Sequence, residues 1–208
     1  MPNASQRVLV EPYTMLSPSR LKALERSIRS VVNGGIPGDV VECGAAAGGS
    51  AALLAVWLRR LKSTKTLYLF DTFEGLPSPN ENDPDYDRAA MWTGKCRGEL
   101  EQVESLLSRL NVLDRAVLIK GKFQETLPTF DVTPLSFVHL DGDWYDSTRV
   151  CLEHLWDRIS PGGILQIDDY GAWQGCQRAV DEFLEQRGLI NSLQWIDKEG
   201  RWILKQTE

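Results

Sequence analysis

Two pairs of aspartates stand directly after apolar runs in the second half of the chain. Asp141 and Asp143 follow one run, and Asp168 and Asp169 follow the next. Carboxylates repel one another, a buried carboxylate is costly without a partner, and no arginine stands beside either pair in the sequence. If the two runs are neighbouring strands, the four side chains meet at one sheet edge and require a cation. Three carboxylate oxygens suit octahedral Mg²⁺, so we predict a divalent-metal site at Asp141, Asp168 and Asp169. The alternative is that these are exposed strand-end aspartates that cap helices.

A metal at this place would orient an acceptor hydroxyl and lower its pKa, although a base must still remove the proton. Asp143 lies two residues beyond Asp141 and is the candidate base, which makes these two aspartates the predicted catalytic residues. His139 is the alternative base. Side chains alternate along a strand, which places His139 on the opposite side from Leu140 and favours a hydrogen-bonded histidine in the core.

A turn of small residues at 42–50 has the composition of a ligand-binding loop. It reads Glu-Cys-Gly-Ala-Ala-Ala-Gly-Gly-Ser, and small residues let the backbone approach a ligand while the helix start offers free N–H donors. The G-x-G-x-x-G spacing of a pyrophosphate loop does not occur here. The E-x-G-x-x-x-G spacing suits S-adenosylmethionine, whose ammonium group Glu42 would bind directly or through water. The predicted cofactor contacts in this turn are Glu42, Gly44, Ala45, Ala46, Gly49 and Ser50.

Further cofactor contacts are expected at the ends of later strands. Asp71 lies 22 residues after Gly49, where an acidic side chain binds ribose hydroxyls in folds of this kind, and Thr72 follows it. The alternative is that Glu42 caps a helix and Asp71 merely ends a strand. Phe123 would lie near the adenine and either stack on its ring or pack in the core. The predicted contacts after the later strands are Phe123, Gln124 and Asp141.

The apolar pattern supplies the elements that would bring these residues together. Short apolar runs alternate with helical periodicities, which is typical of a parallel sheet built from βαβ units. A Ser-Pro-Gly-Gly turn is expected at 160–163, and a closing antiparallel hairpin at 193–204. We therefore predict an α/β fold with a doubly wound, mostly parallel seven-stranded sheet. By analogy, the terminal hairpin is typical of class I methyltransferases. The expected parallel strands are 40–43, 66–70, 116–119, 135–140 and 164–167.

We expect one domain over residues 1–208, with an N-terminal helical segment at 1–36. Ser17-Pro18 has the form of a helix start, and Gly34-Gly35 that of a helix end. Residues 75–98 are polar and rich in proline, and they are long for a connection in a compact domain. This stretch is interpreted as a lid or acceptor-binding loop, with a disordered surface insertion as the alternative.

Charge and composition exclude several classes of partner. A net charge of -6 argues against nucleic acid, which favours a basic face. The sequence has no apolar run of the roughly 20 residues that a membrane helix needs, and the first ten residues lack the pattern of a signal peptide. A cytoplasmic protein is expected. The four cysteines, Cys43, Cys96, Cys151 and Cys176, have no zinc or C-x-x-C spacing, so no disulfide framework is expected. Three of them lie in apolar stretches and are expected to be buried thiols.

Several short motifs together resemble the macrocin O-methyltransferase family, and the resemblance covers roughly residues 11–185. Each motif is short, but their combination is specific. The motifs are Tyr13-Thr14-Met15, the stretches 38–44 and 71–77, His139–Asp143, Asp168–Gly171, and Trp173, Gly175-Cys176 and Ala179-Val180-Asp181.

The resemblance implies an O-methyltransferase that uses S-adenosylmethionine and Mg²⁺ to methylate sugar hydroxyls on glycosylated natural products. The metal pattern is also similar to that of catechol O-methyltransferases, with Asp169 where those enzymes carry asparagine. The chain departs from the family at residues 45–47, which are alanines, and in its short segment before Glu11. Both departures bear on the acceptor rather than on the chemistry. By resemblance, the metal ligands are Asp141, Asp168 and Asp169, the base is Asp143, and Tyr13, Thr14 and Met15 fold over the cofactor.

Other functions remain open from the sequence alone. A phenol, a catechol or a small polyol could be the acceptor, because four aromatic residues could form a slot for a flat ring. A nicotinamide-dependent oxidoreductase and a non-catalytic S-adenosylmethionine-binding module are more distant alternatives. The family resemblance also implies a homo-oligomer, a dimer or higher, with the helix at 17–33 as a candidate contact. The slot residues are Trp92, Trp144, Tyr145 and Trp173.

Overall fold

The computed structural model describes residues 10–206. Short 3-10 turns connect the longer elements. The helices are α1 (Pro18–Asn33), α2 (Gly49–Arg60), α3 (Tyr86–Ala90), α4 (Leu100–Arg109), α5 (Phe123–Thr126), α6 (Tyr145–Leu155) and α7 (Gln174–Gln186). The strands are β1 (Asp39–Cys43), β2 (Leu67–Asp71), β3 (Ala116–Lys120), β4 (Leu135–Leu140), β5 (Ile159–Ile167), β6 (Gln194–Trp195) and β7 (Arg201–Leu204).

The strands form one seven-stranded sheet in the order β3-β2-β1-β4-β5-β7-β6. Strands β1 to β5 are parallel, whereas β7 is antiparallel to both β5 and β6. The predicted fold class and the closing hairpin are therefore confirmed. Since β1 and β4 are neighbours in the middle of the sheet, the connections that follow them face each other across its carboxyl edge.

Each face of the sheet carries one apolar cluster. Val40 points into a cluster shared with α1, α2 and α4, whereas its neighbour Val41 points into a cluster shared with α6 and α7. Alternation along each strand divides the core in this way, as a doubly wound sheet requires.

Helix α1 begins where the sequence predicts. The hydroxyl of Ser17 accepts a hydrogen bond from Arg20 N at 3.2 Å, and the N–H of Gly34 closes the other end on Ser30. Leu21, among other apolar residues, lies buried against the rest of the chain. The apolar face of this candidate oligomer contact is thus occupied within the chain.

Strand β5 differs from its prediction. The expected turn at 160–163 lies inside the strand, which begins at Ile159. Leu135 pairs with Ile159, but Phe137 pairs with Ile164, so residues 160–163 form a bulge opposite a single residue of β4. Glycine tolerates the bulge because Gly162 adopts φ +78°, and its N–H donates to the carbonyl of Lys205 at 2.8 Å.

The loop at 75–98 is folded against the starts of α6 and α7. The indole N–H of Trp144 donates to Pro77 O at 2.7 Å, and the Asp83 carboxylate accepts from Tyr145 N at 2.8 Å. Its middle forms α3. The disordered insertion considered from the sequence is therefore wrong, while a role as a lid stays a prediction.

Part of the predicted N-terminal segment 1–36 lies outside the described residues, because the structure describes it only from Val10. Across residues 10–206, no helix combines the length and the apolar character that crossing a membrane requires.

Candidate active site

A cavity of about 300 Å³ opens at the carboxyl edge of the parallel strands. The turn after β1, the end of β2, the loop before α4, and the segments after β4 and β5 all contribute to its wall. Most of the predicted site residues line it, namely Tyr13, Thr14, Met15, Gly44, Ala45, Ala46, Ser50, Asp71, Thr72, Phe123, Gln124, Asp141, Asp143, Asp168 and Asp169.

Three of the aspartates cluster closely enough to share a cation. One carboxylate oxygen from each of Asp141, Asp143 and Asp169 lies within 4.8 Å of the others. The cluster is braced internally, because the backbone N–H of Asp143 donates to Asp169 Oδ2 at 3.0 Å. Asp143 adopts φ +55°, a left-handed conformation that is uncommon outside glycine and asparagine-like residues.

The fourth aspartate has a partner that the sequence did not indicate. Arg20, in the first turn of α1, forms an ion pair with Asp168 Oδ2. Although no arginine stands beside the acidic pairs in the sequence, the fold places one there. The two residues are 148 positions apart in the chain, and only the packing of α1 on the sheet brings them together. The predicted metal set of Asp141, Asp168 and Asp169 stays a prediction, with Asp143 a further candidate ligand.

Desolvation and mutual repulsion disturb the protonation of this cluster. Burial, followed by the charges of Asp169 and Asp168, raises the pKa of Asp141 and of Asp143 well above the ordinary aspartate value. Burial and the charge of Asp169 raise the pKa of Asp168 to about 7, although His139 and Arg20 oppose the shift. Crowded carboxylates of this kind are the usual environment of a divalent cation or of a general base.

Glu42 and His139 form a buried pair beneath the turn after β1. Both side chains are fully buried, and Glu42 Oε1 lies 2.8 Å from His139 Nδ1. The prediction of a hydrogen-bonded core histidine is confirmed. Glu42 does not line the cavity, and its second oxygen, Oε2, is buried without a hydrogen-bond partner among the described residues. A direct contact to the cofactor ammonium is therefore the less accessible of the two predicted modes.

Asp71 has a structural task that the sequence did not show. Its Oδ2 accepts from the backbone N–H groups of Ala45 and Ala46 at 2.8 and 2.9 Å, and its Oδ1 accepts from Phe73 N at 2.7 Å. These bonds fix the turn after β1. A side chain at Gly44 would collide with Asp141, since a Cβ would lie 1.9 Å from the Asp141 carbonyl oxygen.

The segment Tyr13-Thr14-Met15 lines the cavity and packs against the start of α2. Gly49 lies under it and outside the cavity wall, and a Cβ there would be 2.5 Å from Tyr13 O. The guanidinium of Arg109 donates to the Tyr13 hydroxyl at 2.9 Å and holds the segment from outside. The absence of a side chain at Gly49 therefore allows this close packing, and the predicted cofactor contact at Gly49 stays a prediction.

One wall of the cavity is aromatic. Trp173 lies at its centre, with Trp92 and Trp144 against it edge-on at ring-centroid distances of 6.2 and 4.8 Å. Trp92 and Trp173 line the cavity, whereas Tyr145 turns away and donates its hydroxyl hydrogen bond to Glu182 at 2.6 Å.

The sequence reasoning missed several lining residues. The guanidinium of Arg88 lies 4.1 Å from the ring centroid of Trp173, and Cys96 reaches the same cavity beside the acidic cluster. Cys96 is half-buried, whereas the other three cysteines are fully buried, and all four are free thiols as predicted. Nothing in the local spacing of Arg20, Arg88 or Cys96 marks them.

Comparison with known proteins is consistent with this geometry. The family described as Macrocin-O-methyltransferase (TylF) matches residues 7–205. A Streptomyces olivaceus relative, named as an 8-demethyl-8-(2,3-dimethoxy-alpha-L-rhamnosyl)-tetracenomycin-C 4'-O-methyltransferase, is 34% identical over 209 residues, which cover 96% of this chain and 80% of the relative. The demethyldecarbamoylnovobiocin O-methyltransferase of Streptomyces niveus is 31% identical over 194 residues, with coverages of 90% and 74%.

Solved structures share the fold of this chain. The O-methyltransferase NovP superposes with a TM-score of 0.86 at 28% identity, covering 94% of this chain and 83% of that one. The calicheamicin methyltransferase CalS11 superposes with a TM-score of 0.77 at 20% identity, with coverages of 98% and 86%, and shows the shared fold. The chain therefore belongs to the macrocin O-methyltransferase family and is an O-methyltransferase with the class I methyltransferase fold.

Proposed function

We propose that the protein transfers the methyl group of S-adenosylmethionine to a sugar hydroxyl of a glycosylated natural product, with a divalent cation at the acidic cluster. The observation that carries the proposal is that one cavity is lined both by the turn after β1, at Gly44, and by the cluster at Asp141 and Asp169. A methyl donor held by the turn and a hydroxyl held at the cluster would then meet in a single space.

The residues present fit both groups. Asp168 Oδ1 and Glu42 Oε2 are buried and lack hydrogen-bond partners among the described residues, so each could serve a group that is not part of the protein. Three further carboxylates provide the hard oxygen donors that Mg²⁺ prefers. Asp141, Asp168 and Asp169 would hold the cation, with Asp143 close enough to contribute. The other predicted contacts on the cavity wall would hold the cofactor.

Asp143 is the proposed base. Its carboxyl lines the cavity, and its pKa is raised well above the ordinary value by burial and by Asp169 and Asp168. A carboxylate with a raised pKa accepts a proton from a hydroxyl more readily than an ordinary aspartate does. When bound, a divalent cation would supply a lowered hydroxyl pKa and a fixed orientation of the acceptor oxygen.

The remaining residues act by position. Asp71 holds the turn after β1 through hydrogen bonds, and the Tyr13-Thr14-Met15 segment lines the cavity. Transfer of a methyl group is an in-line displacement, so holding donor and acceptor in register supplies much of the rate increase. The turn after β1 and the acidic cluster line the same cavity, so they could hold the donor and the acceptor in line.

The names of the relatives support a sugar acceptor. One is named for a rhamnosyl-tetracenomycin, and another is a mycinamicin III 3''-O-methyltransferase from Micromonospora griseorubida that is 32% identical over 196 residues. The proposal also includes a cytoplasmic homo-oligomer, a dimer or higher, that binds neither nucleic acid nor membrane.

A phenolic or catechol acceptor is the second candidate, and the aromatic wall favours it. Trp92 and Trp173 present ring surfaces to the cavity, and flat aromatic acceptors stack well on such surfaces. The same surfaces would also pack against the apolar face of a sugar or an aglycone. The aromatic wall is therefore weaker support for a phenolic acceptor than the names of the relatives are for a sugar acceptor.

An acceptor panel separates the two candidates. The purified protein is incubated with S-adenosylmethionine and Mg²⁺ and with matched pairs of glycosides and aglycones, together with catechols, and products are identified by mass spectrometry. We expect a methyl group on the sugar of a glycoside and none on its aglycone. Methylation of catechols alone would establish the second candidate. Undiminished turnover in the presence of a strong chelator would contradict the proposed divalent cation.

A further inference from the structure

Arg20 sits at the junction of three parts of the molecule. It lies in the first turn of α1, and only 9% of the residue is exposed. Its guanidinium contacts Asp168 Oδ2, Glu199 Oε2 at 3.0 Å and Asp197 Oδ2 at 3.5 Å. Its Nε also donates to the hydroxyl of Ser17 at 3.4 Å. The side chain thus joins α1 and the turn between β6 and β7 to the end of β5.

The two oxygens of Asp168 are in different environments. Oδ2 is taken by Arg20, whereas Oδ1 is buried and has no hydrogen-bond partner among residues 10–206. A buried carboxylate oxygen without a partner is costly. The carboxylate is therefore held by one oxygen and offers the other.

The charges around Arg20 do not balance. One guanidinium faces the carboxylates of Asp168, Asp197 and Glu199, and Asp141 also acts on it electrostatically. Burial alone would lower the pKa of Arg20, but these carboxylates together raise it above the ordinary value. The arginine stays charged, and the carboxyl groups around it outnumber it.

We propose that Arg20 is a positioning residue for the cation: it fixes Asp168 through Oδ2, so that Oδ1 is presented as a single-oxygen ligand. The inference rests on the proposed metal site. Ligating carboxylates are commonly oriented by hydrogen bonds from residues that do not touch the metal. The planar fork of arginine suits the task better than the point charge of lysine, because it binds several carboxylates in a fixed geometry.

The turn between β6 and β7 supports Arg20 in its place. Asp197 Oδ2 accepts from the Ser17 hydroxyl at 2.6 Å, and the backbone N–H of Gly171 donates to Glu199 O at 2.9 Å. A side chain at Gly200 would come within 3.1 Å of the Arg20 side chain. The hairpin therefore packs around the arginine and keeps it aimed at the end of β5.

The rival interpretation makes Arg20 a resident cation that stands in for the metal. The two interpretations predict opposite effects of removing Arg20 on metal affinity. If Arg20 positions Asp168, its removal weakens metal binding. If it occupies the place of the metal, its removal frees a ligand and strengthens metal binding or leaves it unchanged.

The test measures Mn²⁺ affinity by electron paramagnetic resonance and Mg²⁺ affinity by calorimetry in the full chain. The variants are Arg20→Met, Arg20→Lys and Arg26→Met, the last being a control at an exposed arginine of the same helix. We expect Arg20→Met to bind Mn²⁺ about 10- to 100-fold more weakly. Arg20→Lys should fall between Arg20→Met and the wild type, and Arg26→Met should equal the wild type. S-adenosylhomocysteine affinity, measured alongside, should not change in any of them.

Each result has a distinct meaning. Equal or tighter Mn²⁺ binding in Arg20→Met, with wild-type binding intact, overturns the inference and leaves the metal site standing. If the wild type binds neither Mn²⁺ nor Mg²⁺, both the proposed metal site and the role of Arg20 are overturned. If Arg20→Met does not fold, Arg20→Lys decides the matter, because its folded form must still bind Mn²⁺ more weakly than the wild type does.

Discussion

The acidic cluster brings like charges together on the cavity wall, and Asp143 is the member whose role is most directly testable. We expect Asp143→Asn to lower kcat by about 100- to 10,000-fold, the usual contribution of a general base. Asparagine keeps the size of the side chain but cannot take up the proton. S-adenosylhomocysteine affinity, followed by calorimetry, should be unchanged.

Asp87→Asn is the matched control, because Asp87 is exposed on α3 in the same part of the structure. It should retain wild-type kcat. A kcat for Asp143→Asn within a few-fold of the wild type would assign the proton transfer to another group.

The protonation of the cluster also sets how the metal-free protein responds to pH. The folded pKa of Asp168 is about 7, well above the value near 4 of an unfolded aspartate. Its contribution to stability is therefore fully present below about pH 4 and is lost as the pH rises through about 7. Burial lowers the pKa of His139, but Glu42 raises it more, so the histidine contributes in the same direction.

We therefore expect the melting temperature of the metal-free protein, held in chelator, to fall between about pH 4 and about pH 7, the interval between the unfolded and the folded pKa of Asp168. Asp168→Asn should flatten this slope. Saturating Mg²⁺ should also flatten it, because the ion stabilises the deprotonated carboxylates. A melting temperature that rises over the same interval in chelator would contradict the raised pKa values.

For single residues, the sequence predicted the contacts that follow directly from strand direction and side-chain alternation, and few others. Asp141 and Asp169 meet because parallel strands end at one edge, and His139 turns inward because side chains alternate. The ion pair of Arg20 with Asp168 was not predictable, since it depends on how α1 packs across the sheet. No local pattern carries that information.

Among the elements, the loop at 75–98 depends on one buried carboxylate. Asp83 is 3% exposed; its Oδ1 accepts from Tyr145 N at 2.8 Å, and its Oδ2 accepts from Asn80 N at 3.0 Å. Asp83→Ala would leave two N–H groups without partners, at a cost of about 1–3 kcal/mol for each one that stays buried. We expect faster amide hydrogen exchange across residues 76–95 and a raised KM for the acceptor.

Glu81→Ala, at an exposed position of the same loop, should change neither exchange nor KM. If Asp83→Ala leaves the exchange of the loop as it is, the contacts of Trp144 with Pro77 and of Arg88 with Ala172 hold the loop without it.

The elements themselves were predictable where periodicity is strong. The parallel strands and the closing hairpin follow from short apolar runs in the sequence, and the structure confirms the predicted fold class. Pro161-Gly162-Gly163 misled the assignment of β5, because the same residues that form turns also permit bulges. The pairing of Lys205 with Gly163, which continues the sheet there, is a long-range contact that the local sequence does not contain.

For the whole molecule, the sheet couples the site to both halves of the core. Val40 and Val41 serve opposite clusters within one strand, and the turn that follows β1 forms part of the cavity wall. A ligand in the cavity thus contacts elements packed on both faces. Ligand binding in the cavity should therefore stabilise the whole domain against unfolding, and not one part of it alone.

S-adenosylhomocysteine should accordingly raise the melting temperature in a single transition. At about 100 times its Kd it stabilises the folded state by about 2.7 kcal/mol, which corresponds to about 5–11 °C for a chain of this size. NAD⁺ at the same concentration should give no shift, since the turn at residues 42–50 lacks the pyrophosphate spacing. A shift with NAD⁺ and none with S-adenosylhomocysteine would favour an oxidoreductase. Two separate transitions in scanning calorimetry would contradict the single domain over residues 1–208.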